Sequence, residues 1–135
     1  MVDPERDARS VIHLDTSFLI RAMTPRSPED RRLRGWLLAG EAIGISAVSW
    51  AEFLCGPVEA ADVDLATRIV GEPVALLGAD GRLAATLFNL AGRRRGSLAD
   101  CMIAAVAIRA GAALATRNPA DFRRFESGGL EIAGD

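Results

Sequence analysis

The sequence predicts an α/β fold in which a mostly parallel sheet of four or five short strands lies between layers of helices. Short apolar runs alternate with helical segments along the 135 residues, as in βαβ units. The run at residues 112–116, directly after Gly111, has the continuous apolar character of a buried parallel strand. No repeat or long linker interrupts this alternation, so we expect a single domain over residues 1–135, with residues 1–10 as a flexible extension.

Composition narrows the class of protein. Half of the residues are hydrophobic and the formal net charge is −2, which disfavours both disorder and a protein that simply coats nucleic acid. We expect no signal peptide, because residues 1–10 carry acids and lack an apolar h-region. We expect no membrane span, because no apolar run approaches the required length of about 20 residues. The two cysteines lack metal-site spacing, which favours a cytoplasmic location. All 16 cations are arginines, which excludes a mechanism that needs a lysine.

The elements follow from apolar periodicity and from glycine and proline breakers. Strands are predicted at residues 11–14, 42–45, 74–77, 112–116 and 130–132. Helices are predicted at residues 18–23, 29–38, 60–70 and 80–93, after residue 46 up to Gly56-Pro57, and from the N-cap Ser97 to Gly111. In the helix at residues 29–38 we expect Leu33, Trp36 and Leu37 to face the core.

Acidic residues recur where predicted strands end or helices begin. Asp15 directly follows the first strand, and Glu52 lies in the helix after the second. Asp100 opens the helix before the strand at residues 112–116, and Asn118 and Asp121 follow that strand. Parallel strands bring such residues to one edge of the sheet. Carboxylates that share a pocket repel each other unless a cation joins them, and hard oxygen ligands suit Mg²⁺ or Mn²⁺, which can promote phosphodiester hydrolysis.

Each acid also has a purely structural interpretation as a helix cap. Glu52 stands three residues after Ser49, and Asp100 three residues after a further serine, so each matches the capping-box spacing. Asp15 and Asp121 can cap the helical turns that follow them. The structural and functional interpretations are compatible, because an acid at a helix N-terminus can cap the helix and bind a metal ion at once.

Four short segments stand in a fixed order along the chain: DTS at residues 15–17, SWAE at 49–52, LADCMIAA at 98–105 and ATRNPADF at 115–122. They resemble the four signature blocks of PIN-domain proteins, and most closely those of the VapC-type toxins of bacterial toxin–antitoxin pairs. The blocks occur in the order and spacing typical of that family. The resemblance extends from about Val11 to Ile132, and it implies a PIN-like three-layer α/β/α sandwich.

The resemblance also implies a function. It indicates a Mg²⁺- or Mn²⁺-dependent endoribonuclease that is inhibited by a small cognate antitoxin and forms homodimers and toxin–antitoxin hetero-oligomers. By position, Asp15, Glu52 and Asp100 match the three core acids, which both bind metal and act in catalysis. Many relatives carry the fourth acid where this chain has Asn118, whereas Asp121 belongs to the family's Asn-x-x-Asp-Phe form. We expect Asp121 to complete the site, with Asn118 as the alternative.

Several other residues are candidates for supporting roles. Thr16, Thr116 and Asn118 are expected to bond to the acids or to metal-bound water, although a threonine at a strand end also serves local capping. The run Arg93-Arg94-Arg95 either contacts RNA phosphates or stabilises the C-terminus of a helix. We expect His13, within a strand, to be a buried histidine with satisfied hydrogen bonds rather than a catalytic base.

Other functions fit the sequence less well. A phosphatase of the haloacid dehalogenase type needs a second aspartate where Ser17 stands, and a phosphoacceptor signalling domain needs a lysine. Two alternatives stay open. One is a catalytically weak or inactive PIN module that binds RNA or its antitoxin, because Asn118 stands in place of an acid. The other is a PIN nuclease outside a toxin system.

Overall fold

The computed structural model describes residues 11–92 and 98–134. One sheet contains four parallel strands in the spatial order β2-β1-β3-β4. The strands are β1 (Val11–Leu14), β2 (Ala42–Gly44), β3 (Ala112–Ala115) and β4 (Glu131–Ile132). The helices are α1 (Thr16–Ala22), α2 (Pro28–Leu38), α3 (Ala47–Cys55), α4 (Ala60–Val70), α5 (Gly78–Leu90), α6 (Leu98–Arg109) and α7 (Pro119–Phe122), and a 3₁₀ segment (Arg123–Gly128) follows α7. The predicted α/β fold with a parallel sheet is confirmed.

Buried side chains form two clusters, one on each face of the sheet. Ile12 and Leu14 of β1 belong to the cluster under α1 to α4, whereas Leu114 of β3 belongs to the cluster that contains residues of α5, α6 and α7. Successive strand residues point to opposite faces, so both faces are covered. The result is the expected three-layer arrangement of helices, sheet and helices.

Among the described helices, α6 has the largest number of buried residues. Its buried residues are Cys101, Ile103, Ala104, Ala105, Val106 and Ala107, so burial surrounds the helix instead of following one stripe. The small alanine side chains allow α6 to pack closely against its neighbours, and α5 is the main one. The close packing holds the first turn of α6, which carries Asp100, in a fixed position.

Two expectations about local structure are wrong. The segment at residues 74–77 is not a strand: Val74 makes an isolated parallel bridge to Ser46, and Leu76 and Leu77 are 40% and 48% exposed. These leucines precede α5 on the surface, so their apolar run does not enter the sheet. Leu37 is 43% exposed, because the core-facing side of α2 is already filled by Leu33, which is 3% exposed, and by the half-buried Trp36.

Some predictions fall on residues that the structure does not describe. These are the extension at residues 1–10, the N-cap Ser97, the run Arg93-Arg94-Arg95 and the predicted end of α5 near residue 93. Within residues 11–92 and 98–134, no helix is long and apolar enough to cross a membrane.

An ion pair between a buried aspartate and a partly exposed arginine joins α5 to the C-terminal end of α6. Asp80 is 1% exposed, and its Oδ1 accepts a 2.7 Å hydrogen bond from Nε of Arg109. Its Oδ2 accepts from the backbone N–H of Leu77 (2.8 Å), while Nη2 of Arg109 donates to the carbonyl of Ala75 (2.8 Å). The hydrogen bond from Arg109 lowers the pKa of Asp80. Both carboxylate oxygens are thereby bonded, and the chain before α5 is fixed to α6.

His13 is buried at 2% exposure, so its expected place in the core is confirmed. Burial, with a contribution from the charge of Arg109, lowers the pKa of His13 to about 4, and the ring is neutral at physiological pH. The expectation of satisfied hydrogen bonds is wrong at one atom, because Nδ1 has no partner among the described residues. Gly44 lies opposite His13 in the sheet, and a Cβ there would approach the imidazole to 3.2 Å.

Candidate active site

Asp15 lies at the junction of β1 and α1 and is 6% exposed. Its backbone N–H donates to the carbonyl of Ala115 (2.8 Å), which fixes it beside the end of β3. Its Oδ1 accepts from the N–H of Thr16 (2.8 Å), and Asp15 is the N-cap of α1. Its Oδ2 accepts from Oγ of Ser17 (3.1 Å) and Oγ1 of Thr116 (2.8 Å). Burial raises the pKa of Asp15 although these hydrogen bonds oppose the shift.

Thr16 links Glu52 to Asp15 through two hydrogen bonds. Oγ1 of Thr16 donates to Oε1 of Glu52 (2.9 Å), so one residue contacts both acids. The capping-box interpretation of Glu52 is wrong, because α3 begins one turn earlier than Ser49. The N-cap is Ser46, whose Oγ accepts from the N–H of Ser49 (3.0 Å). Glu52 therefore lies inside α3, and its carboxylate contacts α1 rather than its own helix start.

Asp100 lies in the first turn of α6 and is half-buried. Burial, together with the negative charges of Asp15, Asp121 and Glu52 and against the opposing charge of Arg124, raises the pKa of Asp100 to about 6. The four candidate acids are thus close enough to influence one another electrostatically. The residues before Leu98, on which a capping box for Asp100 depends, lie outside the described part of the chain.

Asp121 and Asn118 interact with the rest of the site in different ways. Asp121 is exposed on α7, and its negative charge contributes to the raised pKa values of Asp15 and Asp100. Asn118 precedes α7, and its backbone N–H donates to Oγ1 of Thr116 (3.1 Å) without a side-chain cap bond to the helix. Asp121 therefore acts on the acids through its charge, whereas the described bond of Asn118 comes from its backbone.

Arg124, which was not predicted as a site residue, also contacts the acids. Nη2 of Arg124 lies 3.7 Å from Oδ2 of Asp100. The available signal was its position three residues after Asp121 in a helical segment, a spacing that places side chains on one side of a turn. Ser17 had no predicted role in the site, yet its hydroxyl donates to the Asp15 carboxylate.

The donor set is that of a hard divalent cation. Asp15, Glu52, Asp100 and Asp121 offer only carboxylate oxygens. The raised pKa of Asp100 reflects its burial and, in addition, neighbouring negative charge that a cation would relieve. Within the described residues, no group of three or more His, Cys, Asp or Glu side chains is arranged as a metal-binding cluster. Mg²⁺ is usually bound by one or two carboxylates and keeps several waters, so the residues present fit such an ion without a closed cage.

A family model of the PIN domain matches residues 12–127. The chain belongs to the PIN domain family. The predicted resemblance is therefore confirmed, and it covers nearly the span expected from the four signature segments. A search of curated protein sequences finds no matching relative.

Solved structures share the fold of this PIN domain. VapBC2 from Rickettsia felis, bound to a DNA fragment from its promoter, is 19% identical with a TM-score of 0.71, over 91% of this chain and 97% of that chain. A toxin–antitoxin complex from Klebsiella pneumoniae is 21% identical (TM-score 0.66; 84% and 90% covered). VapBC-1 from nontypeable Haemophilus influenzae is 20% identical (TM-score 0.65; 91% and 96% covered). At these sequence identities the likeness establishes the fold alone. The candidate acids described above belong to this chain.

Proposed function

We propose that this PIN domain is a Mg²⁺- or Mn²⁺-dependent endoribonuclease that acts as the toxin of a VapBC-type toxin–antitoxin pair. The observation that carries the proposal is the grouping of four carboxylates: Thr16 bonds both Asp15 and Glu52, and the charges of Asp121 and its neighbours raise the pKa values of Asp15 and Asp100 beyond the larger effect of burial. Such a cluster is costly without a cation, and PIN-type signature segments supply each of its members. The likeness to VapBC structures supports the toxin assignment.

In this proposal, the protein contributes a rigid set of oxygens. A bound divalent ion would supply an activated water and stabilise the leaving oxygen of a phosphodiester. Three donors fix both oxygens of Asp15: the N–H of Thr16 and the hydroxyls of Ser17 and Thr116. Thr16 also orients Glu52, so α1 and α3 present their acids together. Hydrogen bonds of this kind orient ligands and so favour a productive geometry.

Partners form a further part of the proposal. We propose a small cognate antitoxin, because solved structures with the same fold include a toxin–antitoxin complex. We also propose a homodimer, since large apolar side chains lie on the surface of the described residues, such as Leu38 (90% exposed) and Leu90 (68% exposed). A cytoplasmic location agrees with Cys55 and Cys101, which form no disulfide with each other. Co-expression with the neighbouring open reading frame, followed by light scattering, tests both assemblies.

The activity is tested by incubating the purified protein with single-stranded RNA and different ions. We expect cleavage with Mg²⁺ or Mn²⁺, none in excess EDTA, and little with Ca²⁺, whose looser coordination positions a nucleophile poorly. Full activity in excess chelator would contradict the proposal. Binding of RNA or antitoxin without cleavage under any ion would instead identify an inactive PIN module. Cleavage without growth arrest on expression would indicate a PIN nuclease outside a toxin system.

The fourth position of the site is tested by comparing Asp121→Ala with Asn118→Ala. We expect the Asp121 variant to lose about ten-fold or more in cleavage rate, because a charged ligand is removed, which corresponds to about 1.4 kcal/mol of transition-state stabilisation. Asn118→Ala should change the rate less, since the described bond of Asn118 comes from its backbone. The assignment fails if the Asn118 variant loses ten-fold while the Asp121 variant keeps a near-normal rate.

A further inference from the structure

Arg124 places a cation beside the acidic site. It lies in the 3₁₀ segment after α7, and its Nη2 is 3.7 Å from Oδ2 of Asp100. The side chains of Arg124 and Asp100 are 19% and 33% exposed, so the pair is only partly screened by water. At 3.7 Å the two groups interact mainly through their charges, because a direct hydrogen bond would require a shorter approach.

A buried aromatic pair fixes the guanidinium from the other side. Its central carbon lies 4.7 Å from the ring centroid of Phe125, which is 0% exposed. Phe125 in turn packs edge-to-face against Phe122, with ring centroids 6.0 Å apart. A cation over an aromatic face is held by the negative charge of the ring face. The position of Arg124 is therefore set by the core, and not only by its attraction to Asp100.

The hydrogen-bonding capacity of Arg124 is incompletely used. Its Nε is buried and has no hydrogen-bond partner among the described residues. A buried arginine in a structural role normally bonds several acceptors in its fixed fork geometry. Arg109 bonds two acceptors although its side chain is 34% exposed: its Nε donates to Asp80 and its Nη2 to the carbonyl of Ala75. The main described partners of Arg124 are instead one carboxylate and one ring.

From this placement we propose that Arg124 is a positioning residue. Its guanidinium stays beside Asp100 and acts as the counter-ion of the acidic site when no metal ion is bound. It neutralises part of the carboxylate charge in the metal-free protein, and it opposes the entry of a divalent ion at Asp100. The inference rests on the proposed function, because it assumes that Asp100 is a metal ligand. Its physical basis is that a fixed positive charge near a ligand repels an incoming cation and stabilises the cluster in its absence.

The test compares Arg124→Gln with a matched substitution at its neighbour, Arg123→Gln. Arg123 is exposed, so the control removes the same charge from the same segment. Calorimetric titration of the full-length protein with Mn²⁺ should show that Arg124→Gln binds the ion about three- to ten-fold more tightly than the unsubstituted protein. Arg124→Lys should bind Mn²⁺ with the affinity of the unsubstituted protein, because it keeps the positive charge. Arg123→Gln should also leave the Mn²⁺ affinity unchanged.

Metal-free stability gives a second readout. Arg124→Gln should lower the thermal midpoint in EDTA, and by less when Asp100→Asn is already present, because only the contact with Phe125 is then left to lose. Equal or weaker Mn²⁺ binding by a folded Arg124→Gln variant would overturn the counter-ion role and leave the proposed function intact. Absence of Mn²⁺ binding by the unsubstituted protein would instead overturn the proposed function.

Discussion

Asp100→Asn is expected to lower the rate of metal-dependent RNA cleavage by about a hundred- to a thousand-fold, the range seen when one electrostatic group is removed from an active site. Asn keeps the size of the side chain but cannot balance metal charge. Growth arrest on expression should therefore be abolished. The fold should stay intact, because the buried residues of α6 that anchor this turn begin only after Asp100.

The same substitution should stabilise the metal-free protein at pH 7. The pKa of Asp100 is raised to about 6. Between about pH 4 and pH 6 the folded protein therefore binds more protons than the unfolded chain. Its free energy of unfolding falls as pH rises over this range, so the charged Asp100 destabilises the folded state at pH 7. Asn removes this loss, which we put at about 1–2 kcal/mol after allowing for solvent screening and for the weakened Arg124 pair.

Thermal unfolding in EDTA checks this sign. The Asp100→Asn variant should unfold at a higher temperature than the unsubstituted protein at pH 7, and the two should converge near pH 4. Asp64→Asn, an exposed aspartate on α4, is the matched control and should change neither midpoint nor cleavage. A large fall in the midpoint at pH 7 would show instead that Asp100 mainly stabilises the start of α6.

Asp80→Ala should cause the largest loss of stability among single acid substitutions in the described residues. It removes the bond to the Leu77 N–H and leaves Arg109 without its carboxylate. Removing a buried carboxylate that accepts one bond from the helix start and one from a partly exposed arginine costs about 1–3 kcal/mol. Urea unfolding at pH 7 measures this free energy, and Asp64→Ala provides the exposed control. A loss below about 0.5 kcal/mol, as at ordinary surface sites, would contradict the role assigned to the pair.

The contribution of Asp80 to stability depends on pH in the opposite direction to that of Asp100. Arg109 lowers the pKa of Asp80, so the stabilising contribution is present above the unfolded pKa and is lost as pH falls through the lower, folded value. The stabilities of the unsubstituted protein and Asp80→Ala should therefore converge in strong acid. Asp80→Asn should lose less than Asp80→Ala, because an amide oxygen can still accept the bond from Leu77.

Local patterns predicted much of the fold. The helix expected at residues 60–70 agrees with α4 (Ala60–Val70), and the strand expected at residues 11–14 agrees with β1. In both cases the periodicity and the flanking breakers are local signals. Asp15 and Asp100 were also chosen as candidates from local context, because parallel sheets bind ligands beyond the carboxyl ends of their strands, where strands end and helices begin.

The errors arose where distant contacts decide the structure. The apolar run at residues 74–77 has the composition of a strand, but its ladder is limited to one bridge between Val74 and Ser46. The pairs Asp80–Arg109 and Asp100–Arg124 join residues 29 and 24 positions apart, and no spacing rule connects them. Ser46 and Ser49 are both of a residue type favoured at an N-cap, and the structure shows that Ser46 caps α3.

Mn²⁺ binding by the acidic cluster tests the central claim most directly. Calorimetric titration should show a saturable site in the unsubstituted protein, with affinity reduced about ten-fold or more in Asp15→Asn and in Glu52→Gln, because each change removes a charged ligand. Asp64→Asn should bind Mn²⁺ as tightly as the unsubstituted protein. Absence of binding, or equal binding by the Asp15 and Glu52 variants, would contradict a metal-dependent active site at the ends of β1 and β3.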